Sequence, residues 1–176
     1  QAAAGGPDAV LSAEHRHEAT RGLTTFAVHV ATVAVDLETG RVRPLQHLVC
    51  CDVGRAINPA IVEGQLQGGI VFGLGHALGE ELRYDEDGQL VSGSLMDYAL
   101  PAAADCPEIA VLALEHAPAR SNPLGVKGVG ETGTSGVGAA IANAVADAIG
   151  DGAGITRLPL TPARVRQAIV TRGVAR

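Results

Sequence analysis

An apolar residue recurs at every fourth position between residues 62 and 82 of this chain. The members of this series are Val62, Leu66, Ile70, Leu74, Leu78 and Leu82. Four-residue spacing places them on one face of a long α-helix. Asn58 followed by Pro59 is typical of a helix N-cap and first helical position. The sequence therefore predicts a long helix that begins at Pro59 and buries one face.

The same stretch is rich in glycine. Its glycines form three pairs with a spacing of four residues, namely Gly64 and Gly68, Gly69 and Gly73, and Gly75 and Gly79. Each glycine costs up to about 1 kcal/mol relative to alanine inside a helix. A membrane dimer seam would use such glycines, but polar residues such as Gln65 and Glu80 interrupt the stretch. We therefore expect tight packing against a sheet or a bound cofactor.

The composition limits the classes of function. The 176 residues include 13 Lys+Arg and 19 Asp+Glu, which gives a net charge of -6, and 47% are hydrophobic. An acidic chain with a single lysine and only two Phe and two Tyr residues excludes nucleic acid as the main partner. The longest uncharged stretches are shorter than the roughly 20 apolar residues of a membrane-spanning helix. These features predict a folded, cytoplasmic protein.

Alternating and helical patterns predict an α+β fold. Residues 26–35 and 42–53 flank a turn and predict a β-hairpin. An Asp-Gly turn within residues 84–90 predicts a second hairpin. The pattern of residues 109–116 predicts another strand. Further helices are predicted over residues 137–148 and from Pro162 onward. The predicted fold is a mixed sheet with hairpins packed against two long helices. Residues 1–23 form an N-terminal segment of doubtful order, and residues 24–176 form the domain.

A glycine-rich loop precedes the helix predicted at residue 137. The segment from Ser121 to Gly136 contains the chain's only lysine, Lys127, and a carboxylate, Glu131. Glycines at the start of a helix let main-chain N–H groups approach an anion or oxo group. Glu131 is either a general base or a group that satisfies the N-terminal amides of the helix, and helix physics alone favours the second role.

Two nucleotide-binding motifs can be compared with this loop. The segment Gly128–Gly133 formally matches the dinucleotide fingerprint G-x-G-x-x-G, but Pro123 interrupts the approach, and no acidic residue follows at the end of a second strand. A P-loop is excluded because Lys127 is not followed by Ser or Thr. An independent nucleotide-binding domain is therefore a weaker alternative.

Three blocks of sequence, residues 51–59, 64–69 and 125–131, occur in a characteristic order. Together with residues 84–88 and 94–98, they resemble the C-terminal part of the molybdopterin-binding large subunit of the xanthine dehydrogenase family. This molybdenum hydroxylase family includes aldehyde oxidases. The resemblance is strongest to the branch of carbon monoxide dehydrogenase and related bacterial aldehyde or heterocycle hydroxylases. It extends from about Phe26 to Ile169 and so covers nearly the whole chain.

The resemblance implies roles for individual residues. Glu131 matches the general base that takes a proton from the molybdenum-bound hydroxide, which then attacks an electron-poor carbon. The cofactor contacts that it implies are Cys51, Asp52, Gln65, Lys127, Gly128, Val129 and Gly130. No residue is expected to ligate the metal directly, and the implied cofactor is molybdenum–molybdopterin in its cytosine dinucleotide form. Phe72 departs from the glutamine of many relatives, so packing near the pterin is expected to differ.

The resemblance also implies partners. It covers only a C-terminal fraction of the large subunit, so we expect the remaining part of that subunit, a [2Fe–2S] subunit and an FAD subunit to complete the enzyme. The three cysteines include no C-x-x-C pair, which agrees with iron–sulfur clusters on another chain. We expect the isolated chain to be inactive, either as a truncated piece or as a natural split subunit.

Several alternatives stay open at this stage. The substrate is carbon monoxide, an aldehyde, a purine or another N-heterocycle, and the sequence does not say whether copper accompanies the molybdenum. A non-catalytic structural or interaction module of the same fold is a second hypothesis. Retention of Glu131 argues against it, because such a module has little reason to keep a lone carboxylate in the loop.

Overall fold

The computed structural model describes residues 13–16, 18, 22–150 and 155–172. The predicted N-terminal segment, residues 1–23, lies mostly outside these described residues. The assignment of residues 24–176 to a single domain stays a prediction.

Three strands form a mixed sheet in the order β1-β2-β3, where β1 is Phe26–Val35, β2 is Val42–Asp52 and β3 is Glu108–Leu114. Strands β1 and β2 pair antiparallel, which confirms the predicted hairpin, and β3 pairs parallel to β2. Gly40 closes the hairpin with a φ of 75°, a conformation that glycine adopts without strain. A register shift between Thr32 and Val33 lies opposite the first residues of β2.

Helix α1 (Pro59–Leu78) connects the parallel strands β2 and β3. The side chain of Asn58 accepts a hydrogen bond of 3.3 Å from the amide of Ile61, which confirms the predicted N-cap. No helix among the described residues is long and apolar enough to cross a membrane.

The end of α1 differs from the sequence prediction. Leu82 was expected on the apolar helix face, but it follows the helix and is exposed. The chain turns away because the amides of Gly79 and Glu80 both donate to the carbonyl oxygen of Gly75. The buried Glu80 carboxylate then accepts a 2.9 Å hydrogen bond from the hydroxyl of Tyr98. A long-range contact of this kind has no signature in four-residue spacing.

The predicted second hairpin is reduced to a single bridge between Tyr84 and Leu90. The carboxylate of Asp85 accepts hydrogen bonds from the amides of Asp87 and Gln89. The Asp-Gly turn is therefore present, but side-chain bonds to the main chain replace the short strands that we expected.

The glycine-rich loop leads into α2 (Thr132–Ser135) and α3 (Val137–Ala148), and α4 (Pro162–Arg172) follows. Helices α1 and α3 cover one face of the sheet, as predicted for an α+β fold with two long helices. The fully buried apolar residues of this layer include Val49, Cys51, Leu66, Ile70, Val137, Ile141 and Val145. The opposite, outer face of the sheet is exposed, and its apolar residues are Val28, Val30, Leu48 and Leu112.

Candidate functional site

The loop of residues 125–131 is fastened beside the end of β2. The amide of Lys127 donates to the carbonyl of Val53 over 3.1 Å. The Asn122 side chain bonds both the carbonyl and the amide of Val126, at 2.9 and 3.2 Å. These bonds hold the first half of the loop in one conformation and leave the second half, from Gly128 onward, to turn into α2.

Lys127 and Asp52, both predicted as cofactor contacts, form an ion pair with each other. The Nζ atom of Lys127 lies 3.0 Å from Oδ2 of Asp52, and the two side chains are 11% and 20% exposed. The pKa of Asp52 is lowered, mainly by a hydrogen bond from the amide of Gly54 and then by Lys127. Each charge already has a partner within the chain, so the pair fastens the loop to β2.

The side chain of Cys51, a residue predicted as a cofactor contact, lies in the core. This residue is fully buried, between Ala27 of β1 and Ala113 of β3. Burial, followed by the charge of Asp52, raises the pKa of its thiol. The side chain belongs to the core because alternation along β2 turns it toward the helices. Its neighbours on the strand, Cys50 and Asp52, are only partly buried, so their side chains are more accessible than that of Cys51.

Four successive main-chain N–H groups, from Gly128 to Glu131, donate to no group within the described residues. A β-carbon placed at Gly128 or at Gly130 would meet no atom within 4 Å, and neither glycine has a positive φ. The fold of the described residues therefore does not itself require glycine at these positions. Amides without partners beside open space form a cradle suited to anionic or oxo groups.

Glu131 does not cap the helix that follows it. It occupies the N-cap position of α2, but its side chain makes no capping hydrogen bond, and only its main-chain oxygen is used, by the hydroxyl of Ser135 at 2.9 Å and the amide of Thr134. The carboxylate is exposed and has no ion-pair partner among the described residues. The capping interpretation favoured by helix physics is therefore wrong, and both carboxylate oxygens are available to a ligand.

Two open cavities meet at Glu131. The first, of about 670 Å³, is lined by the residues from Thr25 to Ala27, His29, and the loop from Gly128 to Glu131. The second, of about 460 Å³, is lined by Gln65, Gly68 and Phe72 of α1 and shares Gly130 and Glu131 with the first. We call the two together the recess. It brings to one surface Gln65, the glycine loop and Glu131, to which the resemblance assigns roles at the cofactor.

A histidine pair beneath the recess was missed by the sequence analysis. Nδ1 of His29 lies 3.1 Å from Nε2 of His47, and Nε2 of His29 lies 3.1 Å from the carbonyl oxygen of Thr132. Burial lowers the pKa of both rings, and the neighbouring charge of His29 further lowers the pKa of His47, to about 4. Strand alternation places both residues on the inner face of the hairpin. The alternating pattern of β1 and β2 could therefore have predicted that the two histidines lie close together.

His47 makes stability depend on pH. Its pKa is about 4 in the folded chain and about 6.5 when unfolded, so the unfolded chain binds the proton first as the pH falls. We expect the free energy of unfolding to decrease between pH 6.5 and pH 4, by up to about 3 kcal/mol from this residue. Urea unfolding at several pH values measures it. His47→Gln should show a smaller decrease, and equal decreases would contradict the prediction.

The chemistry of the recess suits an extended polar cofactor. Within residues 13–16, 18, 22–150 and 155–172, no group of three or more His, Cys, Asp or Glu side chains could hold a metal ion. The recess offers main-chain amides, an amide side chain on α1 and one carboxylate. The dinucleotide fingerprint does not fit the structure, because β3 ends at Leu114, well before Gly128, and no strand follows α3 among the described residues. The fold and recess define a cofactor-binding α+β domain.

Comparison with known proteins specifies which cofactor-binding domain this is. The sequence model for the molybdopterin cofactor-binding domain matches residues 6–107, which is more than half of the chain. The chain belongs to this family, as the sequence resemblance indicated.

Three similar proteins are much longer than this chain. The chain is 43% identical over 140 residues to the 6-hydroxypseudooxynicotine dehydrogenase complex subunit gamma of Paenarthrobacter nicotinovorans, covering 80% of this chain and 18% of that protein. It is 42% identical over 128 residues to the aldehyde oxidoreductase molybdenum-binding subunit PaoC of Escherichia coli K12, covering 72% of this chain and 18% of that protein. The crystal structure of a Cu,Mo-CO dehydrogenase superposes with a TM-score of 0.80 and 32% identity over 86% of this chain and 19% of that chain. This chain thus spans less than a fifth of the length of these relatives.

Proposed function

We propose that this chain is the C-terminal molybdopterin-binding portion of a molybdenum hydroxylase, which adds oxygen from water to an electron-poor carbon. The observation that carries the proposal is the Glu131 carboxylate, which lies without a partner among the described residues beside a row of unpaired amides. The names of the relatives, which include molybdenum-binding and dehydrogenase subunits, support the same reaction class.

The cofactor is proposed to lie along the recess. The N–H groups from Gly128 to Glu131 would hold its polar atoms, and the Gln65 side chain on α1 would contact its pterin or nucleotide part. We propose the cytosine dinucleotide form, with Lys127 and Asp52 supporting the loop through their ion pair. When bound, the molybdenum–molybdopterin group supplies the two-electron redox chemistry, which the side chains of this chain lack.

Glu131 is proposed to act as the general base. A carboxylate that accepts no hydrogen bond from the described residues keeps both oxygens for the reacting groups. Glu131 lines both cavities, so its carboxylate is accessible to a group bound in either one. Taking a proton at that moment increases the nucleophilicity of the oxygen, which is the contribution expected of a positioned base.

The outer face of the sheet is proposed to contact the remaining part of the molybdopterin subunit. In the register of the sheet, Val28 aligns with Cys50 and Leu112, and Val30 aligns with Leu48 and Ala110. In these two apolar rows Val28, Val30, Leu48 and Leu112 are exposed, whereas Cys50 and Ala110 are half-buried. A contiguous apolar patch of this kind marks an interaction surface. Iron–sulfur and FAD subunits are proposed as further members of the complex.

Cofactor analysis of a small set of variants tests this proposal. The complex purified with its natural partners should contain molybdenum and the cytosine nucleotide. Gly128→Val should lower the content of both about tenfold or more, because the side chain would fill open space needed by the cofactor at a misfit cost of about 1–3 kcal/mol. Metal analysis and nucleotide chromatography measure the change.

The matched control is Gly93→Ala, which lies outside the recess and would make only ordinary contacts of 3.6 Å or more with Leu90. Its cofactor content should equal that of the unaltered complex. Absence of molybdenum from the complex, or full cofactor content in Gly128→Val, would show that the recess is not the cofactor site.

A further inference from the structure

His29 connects strand β1 to the segment that carries Glu131. Its Nε2 atom lies 3.1 Å from the carbonyl oxygen of Thr132, the residue directly after Glu131. The imidazole also fills the space beside Gly136, where an added β-carbon would collide with the ring. The ring therefore contacts the segment at both ends of α2.

The hydrogen bonds determine the tautomers of the pair. A carbonyl oxygen only accepts, so Nε2 of His29 must carry a hydrogen and donate to Thr132. In a neutral ring, Nδ1 of His29 then has a lone pair and accepts from Nε2–H of His47, 3.1 Å away. Nδ1 of His47 is left as a buried acceptor without a partner in the described residues. The direction of donation thus runs from His47 to His29 to Thr132.

The pair is also held mechanically. His47 is fully buried on the central strand β2, so it cannot move without disturbing the core. Its ring meets that of His29 edge to face, with centroids 5.4 Å apart and planes inclined by 65°. His29 in turn lies at the floor of the recess, within the cavity that Glu131 lines. A rigid strand is thereby connected to a loop that has few other bonds in its second half.

A buried histidine bonded to another histidine lowers the stability of the fold, because both rings lose contact with water and Nδ1 of His47 has no hydrogen-bond partner among the described residues. An apolar pair would fill the same volume without this cost. The presence of two histidines is explained if the hydrogen bond from Nε2 of His29 to the carbonyl oxygen of Thr132 has a function that an apolar pair could not supply.

We propose that His29, supported by His47, is a positioning residue that holds Glu131 in place for proton transfer. This inference rests on the proposed function of Glu131 and adds two residues that do not touch the reacting atoms. The hydrogen bond from His29 fixes the position of the Thr132 carbonyl. Because Thr132 directly follows Glu131, the fixed main chain also limits where the Glu131 side chain can lie. Misplacement of a reacting group by about 1 Å costs on the order of 10²-fold in rate.

The test compares His29→Ala with His29→Gln in the assembled complex, because the glutamine amide can still donate to Thr132. His29→Ala should lower kcat about 10- to 100-fold, with KM and molybdenum content unchanged, and His29→Gln should recover most of the loss. Glu38→Ala, an exposed residue in the turn between β1 and β2 and outside the recess, is the control and should retain normal kcat. A loss that glutamine does not recover, or a change confined to KM, would overturn the proposal.

Hydrogen exchange separates this proposal from that of Glu131 as base. In His29→Ala, the hydrogen-bonded amides of Thr132, Thr134 and Ser135 should exchange faster, and in His29→Gln they should exchange at the original rate. In a Glu131→Gln background, His29→Ala should cause no further loss of kcat, because positioning acts through the carboxylate. If Glu131→Gln alone keeps normal turnover, the base role falls, while the exchange data still decide whether His29 positions the loop. Unchanged exchange in His29→Ala would refute positioning directly.

Discussion

Glutamine in place of Glu131 is expected to lower the turnover of the assembled enzyme by about 10²- to 10⁴-fold, the range supplied by a positioned general base. Glutamine has nearly the same shape but cannot take the proton. The Glu131 side chain makes no hydrogen bond or ion pair among the described residues, so folding should be unaffected. Steady-state kinetics with parallel molybdenum and nucleotide analysis should show full cofactor content and lost kcat.

The matched control for this substitution is Glu108→Gln, which removes an exposed carboxylate at the start of β3, away from the recess. Its turnover should be normal. A loss of turnover in Glu131→Gln would then result from removing a carboxylate at this particular site and not from the change in net charge. Normal turnover in Glu131→Gln would instead favour the alternative of a non-catalytic module of the same fold.

Alanine in place of Gly133 is expected to destabilise the fold by about 3 kcal/mol or more, at or above the upper end for an overpacked core. A β-carbon at this position would lie 2.5 Å from the carbonyl oxygen of Leu66 and 3.1 Å from the Cα of Gly69. These contacts are main-chain atoms of α1, so no side-chain rotation relieves them. Urea unfolding of the chain measures the change in free energy of unfolding.

Gly64→Ala is the control, since Gly64 lies on α1, the helix that Gly133 contacts, and an added β-carbon there would meet no atom within 4 Å. This substitution should stabilise the chain by up to about 1 kcal/mol through helix propensity. If Gly133→Ala were as stable as the unaltered chain, the backbone contact between α1 and α2 would not exist in solution.

The glycine contacts also qualify the sequence interpretation of α1. Close approach does occur at Gly69 and Gly73, but their neighbours are α2 and Val137 of α3 and not the predicted sheet or cofactor. Gly64 and Gly68 have open space instead. Spacing identified the pairs, but it could not tell which side of the helix met a neighbour, because that depends on how the loop after β3 returns to α1.

Gln65 and Cys51 show the same difference between what a sequence motif indicates and what the tertiary structure decides. The glycine-rich block and Gln65 are brought to one recess, as the resemblance implied. Cys51 lies in the same block as Asp52, but it is turned into the core by strand alternation once β2 is paired on both sides. A motif assigns a function to a whole block, whereas the sheet decides which alternate residues can be reached.

Sequence alone determined the local elements, namely the hairpin, the capped helix α1 and the glycine loop, because their signals lie within a few neighbouring residues. It also identified the family, because each characteristic block is a run of consecutive residues that can be recognised without knowledge of the fold. Tertiary structure alone decided that α1 ends at Leu78, that Lys127 pairs with Asp52 and that Glu131 leaves its helix uncapped. Those outcomes depend on contacts between residues far apart in the chain, whose energies no local pattern contains.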